Sequence, residues 1–138
     1  MIGLDTNVLA RYILDDDPVW SVRATNFIDN ECTPEQPGYI NLVVVAELVW
    51  LLRQARDFTR DKITAVIQEF MEADNLVVAE AALIERVLEQ YKAGKADFAD
   101  YLIVELNRAA AAAPTVTIDR KASLHEGFQH LSRRETYV

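Results

Sequence analysis

Met1-Ile2-Gly3-Leu4-Asp5-Thr6-Asn7 is the stretch from which the rest of the chain is read. Four mostly apolar residues make a candidate buried strand, and an acid stands where that strand should end. Two small polar residues follow, and Val8-Leu9-Ala10-Arg11-Tyr12-Ile13-Leu14 can continue as a helix. In open α/β sheets, ligands bind beyond the carboxyl ends of the strands, near the topological switch point. That places Asp5 as a site residue. An Asp or Thr here can also do no more than cap the helix, and the remaining sequence has to separate the two roles.

Length and composition bound the answer. A chain of 138 residues favours one domain over residues 1–138 with one core. Apolar residues make up 51% of it, enough to bury that core, and charged residues 26%, an ordinary globular share that argues against bulk disorder. The net charge of −8 speaks against a broad basic face for duplex DNA or an anionic membrane. It leaves nucleic acid open, because cations can neutralise an acidic pocket locally. Cys32 is the only cysteine, so no internal disulfide can form and a reducing compartment is expected. No run reaches the roughly 18 apolar residues of a membrane span, and no leader precedes the first strand. A cytoplasmic protein without membrane contact is the expectation.

Strands alternate with helices along the chain. Asp15-Asp16-Asp17-Pro18 breaks the first helix as a solvated turn and a new helix start. Val19, Trp20, Arg23, Ala24, Phe27 and Ile28 recur at helical spacing, and Glu31 to Gly38, with two prolines, is a loop. Tyr39-Ile40 is a short strand. Asn41 can cap a helix from Leu42 to about Gln54 that is apolar nearly all round and is expected to be buried. A mixed charged bend from Arg53 to Lys62 precedes a helix marked by Ile63, Val66, Ile67, Phe70 and Met71. Asn75 to Val78 reads as a strand. Ala81 to Tyr91 reads as a helix with the stripe Leu83, Ile84, Val87, Leu88 and Tyr91. Asp97 opens a long helix expected to run into the alanines 109–113 and to stop at Pro114. Thr115 to Ile118 is a strand, and the tail from Arg120 to Val138 holds a short helix and an edge strand. His125 and His130 in that tail read as surface residues. The alternation implies a parallel sheet covered on both faces.

Four acids stand out. Glu47 has Val43, Val44, Trp50 and Leu51 as helical neighbours, so its carboxylate is expected to face a low dielectric and to need a cation or a pair. No Arg or Lys lies between Arg23 and Arg53 to supply a local pair. Asp97 fits an N-cap and Asp100 the third helical position, as in a capping box. Asp119 repeats the pattern of Asp5, an acid at the carboxyl end of an apolar strand. Asp5, Glu47, Asp100 and Asp119 can therefore gather at one sheet edge, where like charges do not persist fully ionised without a cation. Hard oxygen donors without His or Cys favour Mg²⁺ or Mn²⁺. Such a pocket suits metal-assisted phosphodiester hydrolysis.

Leu4-Asp5-Thr6-Asn7-Val8-Leu9, Ala46-Glu47-Leu48, Asp97-Phe98-Ala99-Asp100-Tyr101-Leu102-Ile103 and Thr117-Ile118-Asp119-Arg120-Lys121, in this order and spacing, resemble the PIN-domain ribonucleases. More narrowly, the chain looks like the VapC-type toxins of toxin–antitoxin pairs. The resemblance implies a three-layer α/β/α sandwich with a parallel sheet of order 3-2-1-4-5. It also implies Mg²⁺- or Mn²⁺-dependent endonucleolytic cleavage of RNA, a homodimer, and inhibition by a cognate antitoxin. Asp5, Glu47, Asp100 and Asp119 match the family's acidic quartet, Thr6 its hydroxyl residue beside the first acid, and Asp97 an accompanying acid that joins the metal ligands. Asn41 stands where members commonly carry Ser or Thr, and both types cap.

A metal-dependent RNA endonuclease is thus the expected function, with Arg11, Arg120 and Lys121 as candidate RNA contacts. An antitoxin is expected on an apolar groove that includes Trp20, Trp50 and Phe58. A doubly wound phosphatase or phosphotransfer domain, with Asp5 as nucleophile, is an alternative, although Asn7 stands where its second Asp would be. A non-catalytic binding module on the same fold is another.

Overall fold

The computed structural model describes residues 1–132; the last six residues of the expected tail lie outside them. The protein is α/β, with seven α-helices and two small parallel sheets among the described residues. It divides into two compact units, one from Met1 to Ala81 and one from Ala82 onward.

The first unit is built on three parallel strands, β1 (Ile2–Gly3), β2 (Gly38–Ile40) and β3 (Leu76–Val78), with β2 in the middle. Ile2 faces Gly38, which in turn faces Leu76, so each strand presents its carboxyl end at the same edge. A Cβ at Gly38 would meet Leu4 Cδ1 at 2.6 Å, so the buried Leu4 side chain would have to shift. Helices α1 (Thr6–Leu14), α2 (Trp20–Asn26), α3 (Leu42–Gln54) and α4 (Arg60–Glu72) connect the strands, and α2 runs on into a π-helical turn, Phe27–Glu31. Each start has its cap. Asp5 serves α1, Asn41 Oδ1 accepts Val44 N–H at 2.9 Å, and Thr59 Oγ1 accepts Lys62 N–H at 3.2 Å. Asp17 Oδ1 takes the N–H groups of Val19 and Trp20, and these two bonds hold its carboxyl below the ordinary value. Leu9, Ile28, Ile40, Val45, Leu48, Leu52, Ile63 and Ile67 form the core of this unit.

The charged bend is shorter than the sequence suggests. Helix α3 ends at Gln54, as expected, and Arg60 already opens α4, because the Thr59 cap starts the helix before its apolar stripe begins.

The second unit contains nearly all of α5 (Ala81–Ala93), α6 (Phe98–Ala109), β4 (Thr115–Thr117), α7 (Arg120–Ser123) and β5 (Phe128–His130). β4 and β5 pair in parallel, Val116 opposite Gln129. The expected α5 stripe, Leu83, Ile84, Val87, Leu88 and Tyr91, is buried in full, and Tyr91 meets Phe98 edge-on at 5.8 Å.

The alanine run does not extend α6. The helix ends at Ala109, Ala111 takes a left-handed conformation (φ 59°), and the N–H groups of Ala111 and Ala112 return to Arg108 and Asn107. This is a Schellman closure, which satisfies the last carbonyls of the helix and outweighs alanine's preference for continuing it. No helix among the described residues is long and apolar enough to cross a membrane.

Candidate functional site

In the first unit two of the acids, Asp5 and Glu47, line one cavity. Asp5 stands just past β1, with buried Leu4 between, and its exposed carboxylate accepts Thr6 N–H at 2.9 Å. Thr6 is buried at the first turn of α1, and its hydroxyl donates to Glu47 Oε1 on α3 at 2.8 Å. Asp5, Thr6, Asn7, Glu47 and Trp50 line one cavity of about 480 Å³. Asp5 therefore has both of the roles that the sequence leaves open: it caps α1 and it opens into a cavity.

Glu47 departs from expectation. It is exposed, as are Val43 and Trp50 on the same side of α3. The helix buries Val44, Val45, Leu48, Val49 and Leu52 and leaves its other apolar stripe in solvent. Apolar neighbours at three and four positions are thus not a low-dielectric surround here. Exposure removes the burial on which the expected need for a cation or a pair rests.

In the second unit, Asp97 is the exposed N-cap of α6 and Asp100 the third residue of its first turn. The two form a capping box, with Asp97 N–H donating to Asp100 Oδ2 at 3.2 Å. Asp100's carboxylate is thereby itself committed to the backbone. Partial burial holds its pKa above the ordinary carboxylate value. The bond from Asp97 N–H opposes this, the charges of Asp97 and Asp119 add to it, and His125 opposes it again. Asp119 caps α7, accepting the N–H groups of Lys121 and Ala122 at 2.9 and 3.1 Å. The charges of Asp97 and Asp119 thus both act on Asp100. Arg120 and Lys121 are exposed on α7. Arg11, in the first unit, is tied to Asp16 at 2.6 Å.

Within neither unit do three or more Asp, Glu, His or Cys side chains of the described residues stand together as a metal-binding group. The first unit offers two carboxylates on one cavity, an all-oxygen donor set. That matches Mg²⁺, which binds through one or two carboxylates and keeps several of its waters.

Two features were not visible in the sequence. His125 is half-buried rather than a plain surface residue: its ring meets Tyr101 edge-on at 5.2 Å, with Nδ1 3.3 Å from the Tyr101 hydroxyl. That hydroxyl also accepts Ala96 N–H at 3.3 Å, and a side chain on Gly94 would collide with it. His130 is half-buried too, with Nδ1 2.7 Å from Ser132 Oγ. The second feature is Glu105, 7% exposed on α6, which accepts from Gln90 at 2.9 Å and Arg108 at 3.1 Å with Arg86 at 3.7 Å. Arg108, three residues along the same helix, was the available signal. Trp20 and Trp50 are both exposed and Phe58 is half-buried. Trp20 borders a second, largely apolar cavity of about 690 Å³ with Ile2, Leu4, Val8 and Phe27.

No protein family, no curated protein and no solved structure matches the chain.

Proposed function

We propose that the protein is a metal-dependent RNA endonuclease of the PIN type that hydrolyses phosphodiester bonds at its acidic cavity. The observation that carries this reading is the linked set Asp5, Thr6 and Glu47. Two carboxylates open into one cavity, and the buried Thr6 hydroxyl fixes one of them at 2.8 Å. Asp5 and Glu47 would hold Mg²⁺ or Mn²⁺, with Asp97, Asp100 and Asp119 as the family-like remaining acids. When bound, such a cation supplies water activation and charge neutralisation for an in-line displacement at phosphorus.

The chain's own residues supply orientation. Thr6 holds the Glu47 carboxylate in one rotamer. Asp5 is anchored by the first N–H of α1, which also favours a negative charge at that helix end. Arg120 and Lys121, exposed on α7, are the nearest cations in sequence to Asp119 and are proposed to receive the RNA backbone.

The same reading carries a single PIN-like α/β/α domain with strand order 3-2-1-4-5, a homodimer, a cytoplasmic location and a cognate antitoxin. The exposed Trp20 beside its apolar cavity is proposed to serve that antitoxin.

Incubation of the purified chain with RNA and Mg²⁺ or Mn²⁺, followed by mapping of the new ends, tests the proposal. Wild type is expected to cut and Asp5→Asn to fold but not cut, since Asn caps α1 about as well as Asp. A folded Asp5→Asn variant with full activity would sink the nuclease reading.

A further inference from the structure

The solvent side of α3 carries more than an acid. Val43, Glu47, Trp50 and Gln54 are spaced by four, three and four residues and so form one stripe along the helix. All four are exposed, Val43 by 67% and Trp50 by 68%. Trp50 lies one turn beyond Glu47 and lines the cavity that Asp5, Thr6 and Asn7 also line. The other tryptophan is differently placed, with the Arg23 guanidinium over its ring at 4.9 Å. Among the described residues, no ring or cation is stacked on Trp50.

We propose that Trp50 is a stacking platform for an unpaired base of single-stranded RNA, beside the phosphodiester addressed by Asp5 and Glu47. The proposal rests on the nuclease reading and names how that site takes its substrate. None of the described residues lining the cavity is Lys or Arg, and the chain carries a net charge of −8. Electrostatic attraction of the RNA backbone to this cavity is therefore weak, and affinity has to come from an uncharged contact. Base–aromatic stacking is such a contact, and every base offers a π-face. Asn7, exposed in the same cavity, has an amide that can pair with a base edge.

A protein partner laid over Trp50 would take Glu47 out of water with no cation among the residues lining this cavity to pair it, which is costly. A base stacked on the indole leaves Glu47 hydrated. The arrangement thus favours RNA over a protein surface as the occupant of Trp50.

The full chain has two tryptophans, so Trp20→Phe leaves Trp50 as the only indole. An unstructured oligoribonucleotide added to that variant in chelator, where nothing is cut, is expected to quench its emission. In cleavage assays Trp50→Ala is expected to raise KM about five- to 150-fold, the range that follows from losing one base stack. The change in kcat should stay within about two-fold, and Trp50→Phe should recover most of the loss.

Absence of quenching, or an unchanged KM in a folded Trp50→Ala variant that cuts RNA, overturns the stacking proposal and leaves the nuclease reading standing. A shift from dimer to monomer in Trp50→Ala with unchanged oligonucleotide binding overturns it too, in favour of a protein interface. If wild type cuts no RNA, the nuclease reading fails, and the quenching measurement alone decides whether Trp50 stacks on bases.

Discussion

Thr6→Val tests the link on which the cavity depends. The substitution removes one hydroxyl and keeps a branched side chain of the same shape, at a residue only 8% exposed, so it opens no void. What is lost is the 2.8 Å bond to Glu47. Hydrogen bonds to charged groups contribute about 1.5–3 kcal/mol. Glu47 is exposed, so its released carboxylate is rehydrated, which brings the expected loss down to about 1 kcal/mol. For a chain of this size that corresponds to a fall in Tm of roughly 3–5 °C. The catalytic cost should be larger than the thermal one. Under the proposed function, Glu47 regains its rotamers and its misplacement is expected to lower Mn²⁺-dependent cleavage by about 10- to 100-fold. A double-mutant cycle with Glu47→Ala isolates the bond. Once the acceptor is gone, Thr6→Val should cost almost nothing, so the coupling should be about 1 kcal/mol. Strictly additive effects of the two substitutions, together with an unchanged cleavage rate in Thr6→Val, would falsify the idea that Thr6 positions Glu47.

Further outcomes follow from the same geometry. Asp100 has its folded pKa above the ordinary value, so the folded state keeps its proton where the unfolded chain has released it; stability from this group is present in acid and lost as pH rises through the folded value. Asp100→Asn, still able to accept Asp97 N–H, should therefore be more stable than wild type at pH 7, with the difference closing toward about pH 3–4 in melts across that range. Millimolar Mn²⁺ should raise Tm over chelator, the added stability being about 1.4–2 kcal/mol at ten to thirty times its Kd, and the shift should shrink in Asp5→Asn. Ala111→Gly should stabilise by about 0.5–1 kcal/mol in urea titration, because relief of the left-handed alanine exceeds the added chain entropy.

Signals encoded within a few residues were legible. The sequence marks Asp5 and Asp119 as acids near strand ends that open helices, and each lies past its strand's end, with one residue between, and caps the next helix. The α5 stripe was read residue for residue, because a single apolar face at helical spacing has only one way to be buried. Helix α3 has two apolar stripes and therefore no such uniqueness: Val44, Val45, Leu48, Val49 and Leu52 go in while Val43 and Trp50 stay out. The end of α6 depends on a competition between alanine propensity and carbonyl closure that propensity alone misjudges. Contacts between distant residues left no local trace. The cradle of Gly94, Ala96 and His125 around the Tyr101 hydroxyl is one, and the union of Arg86 and Gln90 with Glu105 is another.

The exposure of Glu47 changes more than one side chain's address. A buried, unpaired carboxylate would tie folding to cation binding, because the ionised form could not be tolerated without a counter-charge. Glu47 instead stands in solvent, and its bond to Thr6 orients it. Folding then does not require the proposed cation, although a bound cation would still add stability. Chelation should abolish cleavage while leaving the secondary structure in place, and cation supply rather than fold stability should determine when the cavity is active.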